Sequence, residues 1–131
     1  MKFSQDIYAD ANRIHAYDEE SVTIQARDNS ELVVVSKSFI VDSQQIIQDW
    51  PINSIVEFTN DDVNYFSSLG IEVLLLSQSN TFSLANQLKP DILITFSQSA
   101  IGVEQMALGS ACRTYNLLIS EGRQVALAVN F

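Results

Sequence analysis

Ile101-Gly102-Val103-Glu104-Gln105-Met106-Ala107-Leu108-Gly109-Ser110-Ala111-Cys112-Arg113-Thr114-Tyr115-Asn116 reads as a strand, a tight turn and the start of a helix. The apolar run Ile101 to Met106 predicts the strand, and Ser110 is the expected N-cap of the helix. Ala111, Tyr115, Leu118 and Ile119 recur at spacings of three and four, which puts one apolar face of that helix against a sheet. Gly122 supplies the left-handed residue that ends it, Arg123 is placed to meet its last carbonyls, and Gln124 to Val129 is the closing strand. In an open α/β sheet, the point where strand hands over to helix is where a ligand crevice is expected.

Working back toward the N-terminus, helix and strand alternate from about residue 59. Thr59-Asn60-Asp61-Asp62 offers N-cap oxygens and acids for a first turn, and the helix runs on through Phe66 to Gly70. Ile71 to Leu76 predicts a buried strand, with the polar stretch Ser77-Gln78-Ser79-Asn80-Thr81 as the loop at its end. Pro90 suits the first position of a helix reaching Ser97, although Asp91 to Phe96 is apolar enough to be a strand. Propensity alone leaves that choice open.

The first part of the chain is β-rich. Ser21 to Ala26 alternates with period two, Arg27-Asp28-Asn29-Ser30 is a turn cluster, and Glu31 to Ser36 and Ser38 to Val41 follow as short strands. A small sheet of this kind needs a covering layer. Trp50, ahead of Pro51, is expected to anchor one layer on another. Residues 1–131 are expected to form a single domain, β-rich over 1–56 and αβ-alternating over 59–131.

The 131 residues carry a net charge of −9, with 16 acids against 7 scattered bases. No basic stripe exists for a phosphate backbone or an anionic bilayer, so nucleic-acid binding is not expected. No apolar run approaches the ~20 residues of a membrane span, and the N-terminus lacks the features of a signal or transit peptide. A cytoplasmic, acidic protein is expected. The lone Cys112 and lone His15 exclude an intramolecular disulfide and make a zinc site improbable, and no cofactor is expected.

Ile101-Gly102-Val103-Glu104, Met106, Gly109, Ala111-Cys112-Arg113-Thr114-Tyr115-Asn116, Leu118, Glu121-Gly122-Arg123 and Val125 together resemble a family of small domains of largely unknown function. It was first described from a methanogen protein. Its human relatives are an adipogenesis-associated domain protein and a mitochondrial assembly factor for respiratory complex I. Trp50, the Thr59 to Asp62 helix start and Glu72 to Leu76 extend the match. The resemblance implies a three-layer α/β domain: a central mixed sheet, helices against it, and an extra β layer from the N-terminal strands. It also supports a helix after Pro90. The chain departs from the family where Ser77-Gln78-Ser79 replaces a usual Gly-Thr-Gly, where Ala100 replaces a Gly, and where Ser110 replaces an Ala.

Two functional readings follow. The first is a non-catalytic protein-interaction or assembly-factor-like module, since no base–nucleophile pair, metal set or Walker-type loop is recognisable. The alternative is a domain, or minor enzyme, that binds a small anionic molecule in a crevice around Arg113 and Cys112. Arg113 could clamp a carboxylate or phosphate, or could form an ion pair with Glu104 or Glu121. Cys112, in the first helical turn, is either an activated thiol or a packed core residue. Glu104, inside an apolar strand, would titrate unusually if buried. Gly109 and Ser110 would contribute at the helix start, and Ser77, Gln78 and Ser79 would border the crevice.

Overall fold

The computed structural model describes residues 10–27, 31–51, 54–78 and 87–131. The fold is mixed α/β. Strands β1 (Arg13–Tyr17), β2 (Val22–Gln25) and β3 (Leu32–Val35) form an antiparallel three-stranded sheet. Strands β4 (Phe39–Asp42), β5 (Ile46–Ile47), β6 (Val73–Gln78), β7 (Gly102–Gln105) and β8 (Val125–Asn130) form a five-stranded sheet in the order β5-β4-β8-β6-β7. In that sheet β6 runs parallel to β7 and β8, while β4 is antiparallel to β5 and β8.

Strand alternation sorts the larger sheet into two faces. Ile40, Leu74, Leu76, Ala126 and Ala128 point to one side, against helices α1 (Asn60–Ser68) and α2 (Pro90–Gln98). Trp50, Phe58, Phe66 and Phe96 fill that layer, with Trp50 edge-on to Phe58 and Phe66 at 5.9 Å. Trp50 is thus the layer anchor read from the sequence. Phe39, Val41, Leu75, Val125, Leu127 and Val129 point to the other side, where helix α3 (Leu108–Ser120) and the three-stranded sheet lie together. The result is the expected three layers, with the five-stranded sheet in the middle.

The helix signals differ in how well they hold. α1 begins as expected, with Asp62 accepting the Thr59 backbone N–H at 2.8 Å. Pro90 opens a helix and not a strand, because Ile92 and Phe96, four residues apart, both bury into the aromatic layer. Ser110 does not cap α3. The Met106 N–H is held by the Leu76 carbonyl, and Ala111 N–H already bonds the Ala107 carbonyl, so the N-cap is Ala107, the helix starts three residues earlier than expected, and Ser110 is its third residue. Cys112 and Arg113 therefore fall in the second turn.

Other boundaries move as well. β6 reaches Gln78, since Ser77 and Gln78 continue the parallel ladder opposite Val129 and Asn130. Ser77 and Gln78, expected in a polar loop, are thus strand residues, and the rest of that stretch, Ser79 to Thr81, lies outside the described residues. Arg123 pairs with Glu72 at 3.1 Å, and the Gln124 N–H donates to the same carboxylate, so the guanidinium is not directed at the helix end.

α2 ends on Ala100, whose φ of 61° is left-handed, while Ile101 N–H returns to the Phe96 carbonyl. Gly122 takes the same role after α3 with φ 76°. A Cβ in this region costs roughly 1 kcal/mol or more. Ala100→Gly should therefore raise unfolding stability by about 1 kcal/mol in urea titrations. An unchanged or lowered midpoint would contradict the strain assigned to this position.

Candidate functional site

Helix α3 lies on β1, where Arg113 and Asn116 bond to the strand. Its buried stripe is Ala111, Cys112, Tyr115 and Ile119. One step around the helix, Gly109, Arg113 and Asn116 face the strand. Asn116 takes both backbone groups of Ile14: its Nδ2 donates to the Ile14 carbonyl and its Oδ1 accepts the Ile14 N–H, each at 2.9 Å. The side-chain amide thereby stands where a neighbouring strand would be, and closes the outer edge of β1.

Tyr115 reaches further along the same segment. Its hydroxyl donates to the Asn12 carbonyl at 2.9 Å in a buried site. Asn12, itself 2% exposed, donates from Nδ2 to the Asp42 carbonyl and accepts the Arg27 N–H. One chain of bonds therefore joins α3, the start of β1, the end of β2 and the end of β4. Burial, with the nearby Asp42 charge, raises the Tyr115 phenol above its ordinary value.

Arg113 donates from Nη1 to the Tyr17 hydroxyl at 2.9 Å, in an exposed position. Among the described residues it pairs with neither Glu104 nor Glu121. A Cβ on Gly109 would fall 2.7 Å from the Tyr17 hydroxyl and 3.2 Å from the Arg113 guanidinium, so glycine here leaves space for that pair. Cys112 is 2% exposed, and burial pushes its thiol from 9.0 up to about 12, although the Arg113 charge pulls the other way. No hydrogen bond joins it to His15, which is exposed on β1 and lines the same groove.

That groove, about 390 Å³, runs between β1 and α3 and is walled by Ile14, His15, Ala16, Tyr17, Cys112 and Asn116, with Arg113 as its cationic member. The remaining candidates sit elsewhere. Ser77 and Gln78 point to opposite faces of the sheet: Ser77 lies on the α3 side, with a buried hydroxyl that has no partner among the described residues, and Gln78 lies on the other side, accepting the Ile55 N–H. Ser79 lies outside the described residues. Glu104 is exposed on β7, an edge strand, and Ser110 is exposed in the first turn of α3. The structure brings Gly109, Cys112 and Arg113 together, and adds Tyr17, His15 and Ile14, which the sequence reading missed. The only available signal was the brief apolar alternation at Ile14 and Ala16.

Among the described residues, no group of His, Cys, Asp and Glu could hold a metal ion, and no helix is long and apolar enough to cross a membrane. Residues 14–130 match the family described as a protein of unknown function (DUF498/DUF598). The chain belongs to this family. It is 27% identical over 129 residues to the Xenopus tropicalis NADH dehydrogenase [ubiquinone] 1 alpha subcomplex assembly factor 3, covering 86% of this chain and 69% of that protein. Its fold is similar to a Xanthomonas campestris solution structure at a TM-score of 0.73 and 28% identity, covering 90% and 83% of the two chains. It is also similar to a Bordetella pertussis Mth938-like domain at a TM-score of 0.68 and 22% identity, covering 91% and 85%. The family match begins at Ile14, the residue that Asn116 grips.

Two outcomes follow for this clasp. Asn116→Ala leaves the Ile14 N–H and carbonyl without their partner and should lower stability by about 2 kcal/mol in urea unfolding. A loss no greater than that of a surface substitution would contradict it. The Cys112 thiol favours its protonated form in the fold, so its contribution to stability is complete below pH 9.0 and is lost as pH rises toward about 12. Cys112→Ala should flatten the alkaline loss, and the wild-type thiol should resist alkylation until the chain is unfolded. Rapid alkylation of the native protein at neutral pH would count against a packed thiol.

Proposed function

We propose that this chain is a non-catalytic interaction module of the assembly-factor kind, which presents the β1–α3 groove to a protein partner. One observation carries the reading. In a chain of net charge −9, Arg113 stands exposed at an apolar groove, and its hydrogen-bond partner there is a neutral phenol, not a carboxylate. An arginine beside apolar walls and a tyrosine has the composition of a binding hot spot, and it selects a partner segment with an acidic side chain. The rest of the Cys112 to Asn116 run offers little for catalysis: the thiol is buried with its pKa raised, and Tyr115 and Asn116 are bonded to backbone. The Xenopus tropicalis relative, an assembly factor by name, supports the same class of role.

The small-anion alternative would use the same guanidinium, and the two readings separate experimentally. A photo-crosslinking residue placed at the exposed position Ala16 in the full chain should capture a discrete protein in the native host, and Arg113→Ala should weaken that partner's binding about tenfold or more. Because Arg113 is exposed, the variant should keep wild-type stability to within about 0.5 kcal/mol. If no protein is captured, and small carboxylates or phosphates raise the melting temperature of wild type but not of Arg113→Ala, the interaction reading is wrong.

A further inference from the structure

Asp42, the last residue of β4, is the only acidic or basic side chain buried among the described residues, at 8% exposed. Its hydrogen-bond donors are all neutral. Oδ1 accepts the Gln44 and Gln45 backbone N–H groups at 2.9 Å each, which forms the turn into β5. Oδ2 accepts a single longer bond of 3.2 Å, from the Nε2 of the exposed Gln45, although a carboxylate oxygen has room for two. No ion pair joins Asp42 to a cation among the described residues.

A cleft of about 370 Å³ opens beside it. Arg27, two residues past the end of β2, lines the same cleft and does not pair with Asp42. One side chain fixes both positions: Asn12 accepts the Arg27 N–H at 2.9 Å and donates to the Asp42 carbonyl at 3.0 Å. The Tyr115 hydroxyl in turn holds the Asn12 carbonyl. Two residues of opposite charge are thus anchored on one cavity without meeting. The buried Ile71 and Val125 add apolar surface, and Gln44, Gln45 and Gln124 surround it with amides.

We propose that this cleft binds a free α-amino acid with a polar side chain, its ammonium on Asp42 Oδ2 and its carboxylate on the Arg27 guanidinium. An ammonium completes the acceptor set of Asp42 and neutralises a charge that is costly to bury alone. A guanidinium takes a carboxylate through two parallel hydrogen bonds. A ligand with only one of the two charges leaves the other wall unmatched, which selects the zwitterion over a plain amine or a plain carboxylate. The volume lies at the lower end of the ~300–1,000 Å³ range of small-molecule sites, and the amide lining favours a carboxamide or hydroxyl side chain. The cleft shares no lining residue with the β1–α3 groove, so this site is separate from the partner surface proposed there.

Heteronuclear NMR titration of the full chain with L-glutamine tests this. The backbone amides of Gln44, Gln45, Gln124 and Val125 should shift saturably, with a dissociation constant on the order of 0.1–1 mM. N-acetyl-L-glutamine, which lacks the ammonium, and L-glutaminamide, which lacks the carboxylate, should each bind wild type about tenfold or more weakly. Asp42→Asn keeps an acceptor oxygen for the turn and should lose the preference for L-glutamine over its N-acetyl form. Arg27→Gln should lose the preference for L-glutamine over glutaminamide. A variant that weakens all three ligands alike would contradict the assigned role of that charge. The comparison of the three ligands on wild type stands even where a variant does not fold. No saturable shift with L-glutamine, L-asparagine or L-serine up to about 10 mM would overturn the proposal. So would shifts centred on Tyr17 and Arg113 instead of the cleft, or a blocked form that binds as tightly as the free amino acid.

Discussion

A single carboxamide holds this architecture at its weakest seam. A three-stranded sheet with short strands is marginal alone, and here it borrows a neighbour: Asn116 on α3 presents one donor and one acceptor to the N–H and carbonyl of Ile14. The Tyr115 hydroxyl repeats the device at Asn12, and Asn12 relays it to the ends of β2 and β4. The helix side chains thus do for the N-terminal layer what a further strand would have done, while burying Cys112 beneath it.

Magnitudes separate the members of the Cys112 to Asn116 run. Leaving a buried backbone group unpaired costs roughly 1–3 kcal/mol, so Asn116 and Tyr115 are structural residues of the first rank. The Arg113–Tyr17 bond is solvent-exposed and contributes a fraction of that. Removing Arg113 therefore changes the surface and hardly the fold, which is why the proposed partner site rests on it and not on its neighbours. The same comparison disposes of the thiol. Being 2% exposed outweighs the favourable charge next door, and the group stays protonated.

How much of this was legible in the residues depends on whether a feature is local or made by contact. The β-then-αβ order, the Thr59–Asp62 helix start, Pro90 and the Gly122 stop are written in local chemistry and could be read directly. β1 could not: it is five residues long, and its pairing with β2 slips between Ile14 and Ala16, which breaks the period-two signal at His15. The start of α3 was misplaced because a good capping residue, Ser110, lies three positions past the actual N-cap, Ala107, where the turn is fixed instead by the Met106 bond to Leu76. The groove joins residues about a hundred positions apart, and no local pattern reports such a meeting. Ala100 is the converse case, since the departure from a family glycine pointed to a position the structure shows in a left-handed conformation.

The central claim is that the Cys112 to Asn116 run is a clasp for the N-terminal strand. Native-state hydrogen exchange at the Ile14 amide reads it most directly, because β1 is an edge strand and its outward N–H would otherwise meet water. The account predicts protection at Ile14 comparable to the interior amides of α3. Exchange at Ile14 as fast as at the Asp18–Ser21 hairpin would contradict it.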